Sequence, residues 1–205
     1  LTCPTKEETE AAFTQLAAEG SVDMPLGPSF FSPLFGMVTD KFGVEWMVIA
    51  QSQTPKVKLE KSVTITASQE RIWDTVIGPE TYKDWTSAFC EGSCFVGDWS
   101  EGSTMKFIGP DPQGGEGGMI CRIIAHEPGS HLRAEHYGVI AKGVEVYEGP
   151  IYEEWIPSVE EYWLESSGTD WTFRIATDVP HSYVEFFSGA WDKALARVKE
   201  IAEAS

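Results

Sequence analysis

The residues of this 205-residue chain best suited to proton chemistry are three histidines five apart and two pairs of glutamates. The histidines are His126, His131 and His136; the pairs are Glu153-Glu154 and Glu160-Glu161. Side chains alternate faces along a strand, so a step of five sends His131 and His136 to opposite sides unless a bulge intervenes. A metal triad is therefore not expected. Glu135, His136 and Tyr137 are the candidate acid or base groups, although no nucleophile accompanies them. Alternation also splits each glutamate pair, which predicts a solvated strand edge rather than an acid–base dyad. Gly114 to Gly118 lacks the Lys-Ser/Thr of a phosphate loop and precedes a strand, so a hairpin loop is expected. Cys90 and Cys94 are four apart without the second close pair that zinc would need. Reduced thiols in a cytoplasmic protein are the expectation, with a Cys90–Cys94 redox pair as the alternative. No metal and no cofactor is predicted.

Aromatic residues carry more weight. Trp73, Trp85, Phe89, Trp99, Phe107, Trp155, Tyr162, Trp163, Trp171, Phe173, Phe187 and Trp191 exceed the needs of one core. Each buried indole also brings an N–H that requires a partner. Either these rings fill the interior completely, or some line a pocket for an apolar molecule.

The element that must gather them is the last one. Val184, Phe187, Trp191, Leu195, Val198 and Ile201 recur at steps of three and four, on one face of a helix from Ser182 to Ala204. Ser182 with Glu185 three residues on predicts its cap, after Pro180. Before it, Val57 to Thr66 alternates as a half-buried strand. Ser68 opens a short helix that Gly78-Pro79 stops, and a second helical turn runs to Trp85. Cys90–Val96, Thr104–Ile108, Gly118–Glu127 and His131–Ile140 read as strands, and Ser158–Ser166 with Asp170–Thr177 as a hairpin around Gly168. The expected fold class is α+β: a curved antiparallel sheet wrapped round a long carboxy-terminal helix.

Residues 1–50 form a separate module, joined by the polar linker 51–56 to a domain spanning 57–205. Thr5 caps a helix that Gly20 ends, and three strands follow: Ser21–Met24, halted by Pro25, then Phe35–Thr39 and Val44–Ile49. Phe30, Phe31, Phe35 and Trp46 cluster as core, interface or pocket wall.

Two resemblances follow from quoted segments. ETEAAFTQLAAEGSVDMPL (8–26) and FFSPLFGMVTDKFGVEWMV (30–48) are similar to PhnB-like proteins of the vicinal-oxygen-chelate, or glyoxalase/bleomycin-resistance, superfamily. The resemblance implies a partial βαβββ module whose first strand ends at best at Leu1. Metal-using members place a Glu seven residues after the turn Asp; counted from Asp40 that position is Met47, and Glu45 falls two short. An unfinished sheet must pair with a second copy, giving a homodimer through this module, pack on the rest of the chain, or be a remnant. PETYKDWTSAFCEG (79–92), GDWSEGSTMKFIGPD (97–111), EEYWLESSGTDWTFRI (160–175) and GAWDKALARVKEIAE (189–203) resemble the SRPBCC, or START-like, superfamily, in the branch named for the activator of heat-shock-protein ATPase. That resemblance implies a helix-grip fold with an apolar cavity between sheet and helix.

The bulk numbers exclude whole classes. Net charge is −17, with −5 over residues 1–55 and −12 over the rest. Such a surface repels phosphate backbones and anionic lipid, and no basic run opposes it, so neither nucleic acid nor membrane is an expected partner. No apolar run approaches a membrane span, and no signal peptide is visible. The first residue is Leu, which predicts that something upstream is absent from the sequence. The expected function is binding of a small hydrophobic ligand by Trp85, Phe107, His136, Trp171, Phe187 and Trp191. The alternatives are a cyclase, hydrolase or isomerase using a cavity polar group, and a co-chaperone.

Overall fold

A computed structural model describes the chain except Pro4, Pro28, Phe30, Phe31, Pro33, residues 51–54, Gln113 and Ser205. It divides into two compact units, Leu1–Gln53 and Thr54–Ser205. Phe30, Phe31 and most of the expected linker lie outside the described residues.

The first unit runs β1 (Thr2–Cys3), α1 (Lys6–Ala17), β2 (Ser21–Gly27), β3 (Phe35–Thr39) and β4 (Glu45–Ala50). Its sheet has the order β1-β4-β3-β2. Thr5 caps α1, its side chain accepting from the Glu8 N–H at 3.1 Å. The first strand reaches further than expected, because Thr2 and Cys3 pair parallel to Ile49 and Ala50. Pro25 does not stop β2 either. That strand lies at the sheet edge and is bulged on both sides of Met24, where a missing N–H costs no ladder bond. Phe13, Val38 and Val48 are buried between helix and sheet. Asp40 shapes the β3–β4 turn, accepting from the N–H groups of Phe42 and Val44 and from Trp46 Nε1. Those bonds, the Trp46 one foremost, hold its carboxyl below the ordinary value.

The second unit continues with β5 (Lys56–Ile65), α2 (Gln69–Ile77), α3 (Pro79–Thr86), β6 (Cys94–Val96), β7 (Thr104–Pro110), β8 (Glu116–Glu127), β9 (His131–Ala141), β10 (Val144–Val146), α4 (Pro150–Trp155), β11 (Ser158–Ser167), β12 (Asp170–Pro180) and α5 (Val184–Glu203). Its antiparallel sheet has the order β5-β12-β11-β9-β8-β7-β6, with β10 paired to β9. This is the α+β architecture expected, a large antiparallel sheet with a long closing helix.

Local chemistry explains most elements. Ser68 caps α2, accepting from Arg71 N–H, and Pro79 starts α3 where no N–H is needed. Gly118 has a φ of +154°, and a Cβ there would sit 2.0 Å from the Phe107 carbonyl oxygen, so only glycine lets β7 and β8 approach. Helix α5 starts later than Ser182 suggests. His181–Tyr183 is a 3-10 turn, the cap position is Tyr183, and no side chain caps it. Cys90 lies outside β6, so the Cys90–Val96 strand shrinks to three residues. The segment 150–155 is helical, which moves Glu153-Glu154 off any strand.

Trp191, Leu195 and Val198 of α5 are buried, each at about 1.5–3 kcal/mol of gross stabilisation. They join Ile65, Trp73, Trp85, Tyr162 and Phe173 in the main core. Arg197 ties α5 to α3 through two bonds to the Asp84 carboxylate, at 2.7 and 2.8 Å.

Candidate functional site

A cavity of about 420 Å³ lies in the second unit, between the sheet, α3, α4 and the start of α5. Its walls are aromatic. Helix α3 supplies Trp85, α4 supplies Trp155, β7 supplies Phe107, and α5 supplies Phe187 and Trp191; Phe89 follows α3. The rings pack edge to face and stacked: Trp85 and Trp191 centroids are 5.8 Å apart, Phe89 and Trp191 4.9 Å, Trp155 and Phe187 5.8 Å. Phe186, 54% exposed, also lines the cavity.

One side of this apolar hollow is polar. Strand β11 turns Ser158, Glu160, Tyr162 and Leu164 inward, because every second residue shares a face. Strand β9 turns Leu132, Ala134 and His136 inward. His136 pairs in register with Ser158 and with Cys121 of β8. The result is a cluster around Glu160. Tyr162 donates its hydroxyl to Glu160 Oε1, and His136 Nε2 lies 3.9 Å from Glu160 Oε2, too far for a direct hydrogen bond.

Burial drives this cluster toward neutral forms. It pushes His136 down to about 4 and raises the Glu160 carboxyl above its ordinary value. It also raises the Tyr82 and Tyr162 hydroxyls and, with help from Glu160, lifts the Cys121 thiol to about 12. A buried thiol of this kind is inert, and all four cysteines are free. Among the described residues no group of His, Cys, Asp or Glu could hold a metal ion.

Two buried polar atoms among the described residues have no hydrogen-bond partner, His136 Nδ1 and Trp191 Nε1. Both belong to residues that line the cavity. Other tryptophans nearby are satisfied: Trp85 donates to the Val76 carbonyl, Trp99 to Ile77, and Trp73 to His126 Nε2. His126 Nδ1 in turn bonds the Trp99 carbonyl at 2.7 Å, so this histidine is a structural strut.

Five of the six residues expected to bind ligand line the cavity: Trp85, Phe107, His136, Phe187 and Trp191. Trp171 does not line it. It lies on β12 against Ile65 and Ser166, packed on the core away from the cavity. The candidate acid–base trio is divided by the pleat. Glu135 is exposed and bonded to Arg133, while Tyr137 packs on Tyr147 and under Arg122, and neither lines the cavity. The split of Glu160 from Glu161 holds, but the solvated edge does not: Glu160 points into the cavity. The missed signal was the run Ser158-Glu160-Tyr162-Leu164, which puts Glu160 in phase with two core residues.

No family model matches the chain. It is 45% identical over 49 residues to the protein YjdN of Escherichia coli, covering 24% of this chain and 33% of that protein. The chain thus spans about a third of that relative's length. Among solved structures, it is similar to a protein of Cytophaga hutchinsonii known from its solution structure, with a TM-score of 0.54 and 20% identity over 72% of this chain and 94% of the other. The solution structure of the Aha1 dimer from Colwellia psychrerythraea matches with a TM-score of 0.50 and 20% identity, over 72% of this chain and 96% of that one. A crystallised Mesorhizobium loti protein gives 0.51 and 15%, over 71% and 96%. These likenesses are of fold. They agree with a helix-grip arrangement of sheet and terminal helix. Among the described residues no helix is long and apolar enough to cross a membrane.

Proposed function

We propose that the second unit binds one small, largely hydrophobic molecule in the cavity beneath α5. The observation that carries this reading is a hollow of about 420 Å³ walled by aromatic rings, beside a buried histidine Nδ1 and indole Nε1 that have no partner. Small-molecule sites are typically clefts of this size with mainly apolar walls and a few polar groups, and buried polar groups are otherwise paired. A neutral dye such as Nile red tests it. The expected result is fluorescence that saturates at one dye per chain and falls when naphthylmethanol is added. Dye that fails to bind, or binds without saturation, would refute the reading.

On the quoted segments, we assign residues 57–205 to the SRPBCC superfamily and residues 1–50 to a PhnB-like module. The βαβββ order of the first unit supports the latter assignment. Free cysteines support a reducing, cytoplasmic setting. The first unit pairs with a second copy of the chain in this reading. Met24, Met37 and Met47 stand side by side across three strands on the sheet face away from Val38, and Met24 and Met47 are 45% and 57% exposed. The molar mass in solution tests this; a monomer would end it.

A second reading is favoured by the same His136–Glu160 pair. Two groups shifted by burial inside a cavity suit acid–base catalysis of a cyclase, hydrolase or isomerase kind. Mass spectrometry of ligands after incubation distinguishes it, since pure binding returns each ligand unchanged.

A further inference from the structure

The cavity's charges restrict what can enter. Among its described lining residues there is no lysine or arginine, but there are two carboxyl groups, Glu160 and Asp178. Asp178 is already engaged: it accepts from the Val159 N–H at 3.1 Å and lies in the field of Lys56. Glu160 is only half engaged. Its Oε1 accepts from Tyr162, while among the described residues its Oε2 has only the 3.9 Å approach of His136 Nε2.

We infer that the cavity takes an apolar or aromatic amine and turns away carboxylates, the amine's N–H groups bridging Glu160 Oε2 and His136 Nε2. This rests on the ligand-binding reading above. A nitrogen about 2.8 Å from each acceptor spans a gap of 3.9 Å, with its two N–H bonds near a right angle. The imidazole is neutral where it sits, so the tautomer with its proton on Nδ1 leaves a lone pair on Nε2. The aromatic walls suit a cation as well as an apolar body, since ring faces attract ammonium groups. An ammonium would also hold Glu160 in its ionised form, the pairing that burial otherwise denies it. A carboxylate entering here would meet Glu160 with no cationic side chain to receive it.

Three probes of one shape test the idea by calorimetry: naphthylmethylamine, naphthylmethanol and naphthoic acid. The amine is expected to bind at least about tenfold tighter than the acid, with the alcohol between them. Glu160→Gln should bring amine and acid within about threefold of each other. The wild-type preference should also persist in about 0.5 M salt, because a buried pair escapes the screening that abolishes attraction to a negative surface. Acid binding as tightly as amine, or a preference that vanishes in salt or survives Glu160→Gln, would overturn the inference and leave the binding reading intact. If none of the three binds, and Nile red does not either, the binding reading itself fails and the inference falls with it.

Discussion

Strands β9 and β11 carry a histidine–glutamate pair on each of their two faces, and the two pairs are built differently. On the outer face His131 Nε2 meets Glu161 Oε1 at 2.8 Å, and Arg133 takes the other carboxylate oxygen at 3.1 Å. His131 also stacks on Trp163, over which Arg174 lies at 3.8 Å. On the inner face His136 and Glu160 stand 3.9 Å apart, and among the described residues no arginine joins them and His136 Nδ1 has no partner. Their side chains are 5% and 20% exposed, against 22% and 14% outside. The outer pair is complete and needs nothing further. The inner pair lacks hydrogen bonds that a bound molecule can supply, and buried groups left in that state mark a site rather than a strut.

The sharpest way to separate the pairs is acid. The unfolded chain protonates His136 near 6.5, whereas the folded chain resists until about 4. Its contribution to stability is therefore full above about pH 6.5 and is lost as pH falls through about 4, by roughly 3 kcal/mol in all. Glu160 acts in the opposite sense. Its raised carboxyl favours the folded state in acid, and that contribution is lost as pH rises through the raised value. Urea unfolding between about pH 7 and 4 should thus decline less steeply in His136→Phe and more steeply in Glu160→Gln than in the wild type. Equal slopes in all three would erase the distinction between inner and outer pairs.

A smaller effect is expected outside. Glu161→Gln weakens the ion pair with Arg133 and the hydrogen bond with His131 and should cost about 1 kcal/mol in a thermal melt, less in high salt. A loss of several kcal/mol would mean that the outer pair is not screened as a surface pair is. The smallest effects belong to Glu135→Gln and Tyr137→Phe. Each should shift stability by no more than about 0.5 kcal/mol, because neither side chain is buried or part of the cavity. Neither should change the affinity for naphthylmethanol; a tenfold loss in either would move the functional group to the outer face.

Much of the fold was legible because local rules fixed it. Thr5 and Ser68 cap their helices as their spacing requires, and β5 alternates from Val57 to Ile65. The apolar stripe of α5 was readable to within two residues, and the error at Ser182 arose because a 3-10 turn took up the first residues. Helix α4 and strand β10 went unread, since each is short and has no extended periodicity of its own. Pro25 misled because edge position, which forgives a proline, is a property of the sheet and not of the segment.

The chain's own pattern determined that Phe187, Trp191, Leu195 and Val198 would share the inward face of one helix, because residues at steps of three and four lie on one side of it. It also determined that Glu160 and Glu161, and His131 and His136, would part to opposite faces. Only the tertiary structure decided which face was which. Register between β9 and β11 brought His136 and Glu160 to one hollow and sent Glu135, Tyr137 and Glu161 outward. The pairing of strands far apart in sequence sets that choice, and a slip of one residue would exchange the two faces.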